Sequence, residues 1–127
     1  MKSFINIILC ICILFSYSIR SEDIPYLLTA SSKGDIESVK AIIDSGGNPN
    51  TEDGNKVTAL MYASRKNQVE VARYLISKGA EVNKQEIDGW TALMYASKNN
   101  YSDMVELLIN NNADLKVTDS DGWTAYG

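Results

Sequence analysis

The sequence predicts an all-α solenoid of about three helix-turn-helix repeats plus the start of a fourth, preceded by a signal peptide. Three observations carry that prediction. Thr58-Ala59-Leu60-Met61-Tyr62-Ala63-Ser64 returns unchanged as Thr91-Ala92-Leu93-Met94-Tyr95-Ala96-Ser97, a period of 33 residues. The same offset carries Leu27, Ala30 and Ser31 onto Leu60, Ala63 and Ser64, and Trp90-Thr91 onto Trp123-Thr124. Within each unit, two short apolar stripes at helical spacing are separated by glycine or asparagine. A helix pair of this size cannot bury both of its sides, so neighbouring units must stack.

The units are expected at about residues 23–55, 56–88 and 89–121, with a partial unit at 122–127. Asp23 followed by Pro25 reads as a helix start, with the acid at the cap and proline in the first turn. Leu27, Leu28 and Ala30 continue that helix to Lys33-Gly34, and Ile36, Val39, Ile42 and Ile43 form a second one closed by Gly46-Gly47. Asn48 to Asn55 is turn chemistry. In the second unit Thr58 is the candidate N-cap. Leu60 and Ala63 face inward, Asn67 breaks the helix, and Val69, Ala72, Leu75 and Ile76 form a stripe ending at Lys78-Gly79. The third unit repeats the pattern with Leu93 and Ala96, then Met104, Val105, Leu107, Leu108 and Ile109, and replaces the closing glycine by Asn112. Asparagine is the next residue most tolerant of a left-handed backbone.

Residues 1–18 look like a secretory signal peptide. Lys2 precedes an apolar run from Phe4 to Phe15 broken only by Asn6, and Ser16-Tyr17-Ser18 supplies small residues for cleavage after Ser18. The run is shorter than the roughly 20 residues of a membrane span. A membrane contact is expected only through this segment if it stays uncleaved, and the location expected is secreted or periplasmic. The mature domain would be residues 19–127. Cys10 and Cys12 both lie inside the apolar run, so no disulfide is expected in the mature chain. It would carry 11 basic against 16 acidic side chains, a net charge of −5. That balance, without a basic stripe in the sequence, argues against nucleic acid and against an anionic lipid surface.

A 33-residue period of turn plus two helices resembles the ankyrin repeat. Thr58-Ala59-Leu60-Met61 with Ala63, and Thr91-Ala92-Leu93-Met94 with Ala96, fill the places of its Thr-Pro-Leu-His signature and following alanine. Gly79-Ala80-Glu81-Val82-Asn83 is similar to the family's Gly-Ala-Asp-Val-Asn run, and Asp88-Gly89-Trp90-Thr91 and Asp121-Gly122-Trp123-Thr124 to its loop leading into the helix. Methionine stands where the family's histidine hydrogen-bonds the capping threonine, so that network is expected to be missing. The first unit, with Ser32, Lys33, Glu37 and Lys40, suits a wetter N-terminal cap. No C-terminal cap is read, so the outer side of the third unit, including members of the Met104 to Ile109 stripe, is expected to lack a covering helix pair and to fray or self-associate.

No enzymatic role is expected. The chain has no histidine, and its mature form no cysteine, which removes the commonest base, the thiol nucleophile and the usual zinc ligands. Asp119 with Asp121 reads as loop punctuation, and their echo of a calcium loop fails at Val117, where the first acid would stand. No cofactor or metal is expected. Asn100-Tyr101-Ser102 fits a glycosylation acceptor.

The resemblance implies another protein as partner, gripped by loop tips and the exposed face of the first helices, which form a concave surface. Carried onto this chain, that surface holds Asn55 and Val57; Arg65 and Lys66; Ile87, Asp88 and Trp90; Lys98 and Asn99; and Ser120, Asp121 and Trp123, with Tyr62 and Tyr95 beside it. Tryptophan, tyrosine and arginine are the residues that anchor interfaces. Trp90 and Trp123 recur at the repeat period, which also fits packing of one loop on the next, and the lysines and arginine also fit a solvated face. Ile87 at an otherwise polar tip, where its equivalent is Gly54, has no packing reason in the sequence. The expected function is a protein-binding module. The rivals are a self-assembling envelope component, and an inhibitor or immunity-type protein for a secreted enzyme.

Overall fold

A computed structural model describes residues 25–127. The signal-peptide reading and the Asp23 cap lie outside the described residues. Among them the chain forms six helices: α1 (Tyr26–Lys33), α2 (Ile36–Asp44), α3 (Ala59–Arg65), α4 (Val69–Ser77), α5 (Ala92–Lys98) and α6 (Ser102–Asn110). The only strand-like pairing among the described residues is one antiparallel bridge between Glu52 and Thr58, at the neck of a loop. Pro25 sits two places earlier than expected, as the cap residue before α1.

The helices end where the backbone turns left-handed, and the turns fall in register. Gly34, Asn67 and Asn100 (φ 74°, 58° and 58°) close the first helix of each unit. Gly46, Gly79 and Asn112 (φ 99°, 98° and 68°) follow the second. After each such residue, the next N–H reaches back to a carbonyl of the last helical turn, as in Asp35 N to Ala30 O, Gln68 N to Ala63 O and Tyr101 N to Ala96 O at 2.8–3.0 Å. This closes carbonyls that the helix itself cannot satisfy. Asn112 occupies the left-handed place foreseen for it.

Thr58 and Thr91 cap α3 and α5, each hydroxyl accepting the N–H of the methionine three residues on, at 3.3 Å. In the second unit the box is closed from the other side, since Thr58 N–H donates to Met61 Sδ at 3.5 Å. The network expected to be missing is therefore rebuilt there through a weak sulfur acceptor.

α1, α3 and α5 stack on one another as one layer, and α2, α4 and α6 as a second. Ala30, Ala63 and Ala96 hold one register position in the first layer, and all are buried. Small side chains at that position let the helices approach closely while Leu27, Leu60 and Leu93 fill the space between layers. Ser31 and Ser64 are also fully buried, and each donates its hydroxyl to the carbonyl four residues back, Leu27 O and Leu60 O, at 2.7 Å. That bond removes the cost of a bare hydroxyl in the core.

Units are also clasped at their outer loops. Asn50 Oδ1 accepts from Glu81 N at 2.7 Å and its Nδ2 donates to Gly79 O at 3.1 Å. One period later, Asn83 makes the same pair with Asp114 N (2.7 Å) and Asn112 O (3.0 Å).

Only some members of the Met104 to Ile109 stripe are left without cover. Met104, Leu107 and Leu108 pack into the core, because α4 and α5 lie against them. Only Val105 and Ile109 reach the surface, where they line an open cleft of about 740 Å³ with Ala125 and Tyr126.

Candidate functional site

Three successive loops, the first two leading into α3 and α5, are each built on one carboxylate. Asp53 Oδ1 accepts the N–H groups of Asn55 (2.8 Å) and Val57 (3.0 Å). Glu86 Oε1 accepts those of Asp88 (2.7 Å) and Trp90 (2.9 Å), and Asp119 Oδ1 those of Asp121 and Trp123, both at 2.9 Å. The three acids lie one period apart. Asp119 is thus occupied in holding its own loop, as the punctuation reading requires.

The free oxygens of the first two acids tie the loops to the helices. Tyr62 donates its hydroxyl to Asp53 Oδ2 at 2.7 Å, and Tyr95 to Glu86 Oε2 at 3.4 Å. Burial alone would raise the Asp53 carboxyl, but hydrogen bonds from Tyr62, Val57 and Asn55, with Arg65 nearby, hold it below its ordinary 3.8. Burial and the Asp53 carboxylate together push Tyr62 up to about 12. Tyr95 is likewise raised, by burial first and then by Glu86.

Successive loops stack edge to edge. Ile87 N donates to Asn55 O at 3.0 Å, and Ser120 gives both its N–H and its hydroxyl to Asp88 O at 2.8 Å. Gln85 Nε2 bridges Gly89 O and Thr118 O. Gly89, with φ 84°, is also a point of close approach, because an added Cβ would stand 2.9 Å from Asp119 Cα.

Above these loops runs an array of rings and cations. The Arg65 guanidinium lies 5.0 Å from the Tyr62 ring centroid and 5.7 Å from that of Tyr95, within cation–π range of both. Trp90 packs tilted on Tyr95, centroids 5.0 Å apart, and Lys98 Nζ lies 5.3 Å over Trp90. Beside it a cleft of about 360 Å³ opens between Trp90 and Trp123, floored by Met94 and edged by Lys98, Asp119 and Asp121.

The structure brings most of the twelve predicted residues to this face. Asn55, Arg65, Lys66, Ile87, Asp88, Lys98, Asn99, Ser120, Asp121 and Trp123 are exposed, with Ile87 at 62% and Trp123 at 60%. Trp90 is half-buried against Tyr95, so it both packs and lines the cleft. Val57 does not belong to the surface. It is only 6% exposed, because its N–H is pinned to Asp53 and its side chain drops into the core. Tyr62 and Tyr95 stand within the array rather than beside it. Asp53 and Glu86 were not singled out in the sequence, although the spacing of Asp53, Glu86 and Asp119 at one period was the signal that could have found them. Among the described residues, no three His, Cys, Asp or Glu side chains converge in a way that could hold a metal ion.

A family model described as ankyrin repeats, three copies, matches residues 27–125. The chain belongs to the ankyrin-repeat family. Ankyrin repeats are generally protein–protein interaction modules and typically carry no catalysis. No curated protein matches this ankyrin-repeat chain closely enough to stand as a relative.

Proposed function

We propose that this ankyrin-repeat protein binds another protein through its concave face, formed by the loop tips and the exposed sides of α3 and α5, and catalyses no reaction. The observation that carries the reading is the pairing of rigid and free side chains on one face. Tyr62, Arg65, Tyr95 and Trp90 are locked together, while Ile87 and Trp123 project from stacked loops with most of their surface in solvent. Large apolar side chains held on a preorganised frame lose little entropy on binding and bury much area. The apolar run from Phe4 to Phe15 supports a secreted or periplasmic setting for this binding.

The test is affinity capture with residues 19–127 against envelope and secreted fractions of the source cell, beside an Ile87→Ala, Trp123→Ala double variant. Both side chains are exposed, so the variant keeps its fold. One protein captured by the parent and lost by the variant supports the reading, and equal capture by both removes it. The open cleft at Val105, Ile109, Ala125 and Tyr126 favours a second reading, self-association through the third unit. A sedimentation profile that shifts with concentration and is restored to monomer by Ile109→Lys would support that reading instead.

A further inference from the structure

The two helix layers carry opposite charge. α1, α3 and α5 contain no acid, and their charged residues are Lys33, Arg65 and Lys98, one at the end of each. α2, α4 and α6 contain Glu37, Asp44, Glu70, Asp103 and Glu106 against Lys40 and Arg73. A helix dipole favours a cation in any last turn. It acts equally on α2, α4 and α6, yet none of these has a basic residue in its last turn, and only α4 has one at its cap, Lys78. The dipole therefore does not account for the segregation, in a chain whose net charge is −4.

Two of the first-layer cations lie against rings, and Arg65 is also near enough to Asp53 to help lower its carboxyl. Arg65 lies against Tyr62 and Tyr95, and Lys98 over Trp90. The ion pair found among the described residues, Lys84 with Glu52 at 3.3 Å, involves neither. A guanidinium grips a carboxylate in a two-point contact through its planar N–H fork. Lys33 and Lys66, both exposed, widen the basic strip at the same helix ends.

Resting on the concave-face reading above, we infer that the partner is engaged through an acidic segment of extended chain laid across the first-helix layer. Arg65 and Lys98 take its carboxylates, and an apolar side chain beyond them enters the cleft between Trp90 and Trp123. Packed helices lie ~8–10 Å apart, which sets the step between equivalent residues of α3 and α5. A polyproline-type strand returns to the same face every three residues, with a rise of ~9 Å. Acids three positions apart, followed by an apolar residue, fit that step.

The test is selection of a randomised twelve-residue peptide library on immobilised residues 19–127, with each recovered peptide then measured against variants. The inference expects recovered peptides enriched in Asp or Glu three positions apart. Their affinity should fall roughly 10- to 100-fold with Arg65→Gln or Lys98→Gln, fall with added salt, and stay unchanged with Arg73→Gln on the other layer. Neutral or basic peptides that are lost on Ile87→Ala, Trp123→Ala would overturn the inference and leave the concave-face reading standing. Peptides indifferent to every first-layer variant, or no recovered peptide at all, would remove both. A single-stranded oligonucleotide of equal charge binding as tightly as the acidic peptides would also overturn it.

Discussion

The Tyr62 hydroxyl donates to Asp53 Oδ2 at 2.7 Å while the other Asp53 oxygen holds the backbone of its loop at Asn55 and Val57. One carboxylate thus fixes a loop tip to a first helix. The position is reused one period later by Glu86 and Tyr95 at a looser 3.4 Å. This link gives the face its rigidity, and it has a measurable pH signature.

Asp53 is held below its ordinary value of 3.8, so its contribution to stability is present above that value and is lost as pH falls through the lowered one. Tyr62 is pushed from 10.0 to about 12, so its contribution is complete below pH 10 and is lost as pH rises towards 12. A phenolate-absorbance titration of the folded chain should show a late class of tyrosines near pH 12, and Tyr62→Phe should remove one member. Tyr74, also near 12 through its bond to Asp44, should remain in that class. Tyr62→Phe should also cost about 1.5–3 kcal/mol in urea denaturation, the range for a hydrogen bond to a charged group.

Lys56 adopts φ 64°, a left-handed conformation that the equivalent loop positions fill with Gly89 and Gly122. An L-residue pays about 1–2 kcal/mol there, offset in part by the greater chain entropy of glycine. Lys56→Gly should therefore stabilise the chain by about 0.5–1 kcal/mol. Gly89→Ala should do the reverse, and by more, because its Cβ would meet the Asp119 backbone at 2.9 Å. Thermal melts of the two variants in the same buffer decide the matter.

Asn83 joins the second unit to the third with both ends of its amide. Asn83→Ala should lower stability by about 1–2 kcal/mol, for two partly exposed hydrogen bonds. The loss should be local. Hydrogen exchange should quicken at Asp114 and in α6 before it does so in α1 or α2, as expected where stability is the sum of contacts between neighbours.

The period alone made the architecture readable. Thr58 as a cap, Asn67 as a breaker and Asn112 as the left-handed residue are local backbone decisions, and short-range chemistry settles them. What short-range chemistry could not reveal was which side chains meet across units. Val57 shares a register position with Trp90, and the family resemblance assigned it to the surface, yet its smaller side chain fits the core. Met61 was read as the loss of a hydrogen bond, whereas its sulfur accepts one. The stacking of Arg65 on Tyr95 joins two units and is invisible to spacing within either.

The measurement that tests the central claim most directly is a hydrogen-exchange footprint of the chain bound to its captured partner. Binding through the proposed face predicts protection at 54–57, 86–90 and 119–123 and at the ends of α3 and α5, with α2, α4 and α6 unchanged. Protection confined to α2, α4 and α6, or to the cleft at Val105, Ile109 and Tyr126, would contradict it.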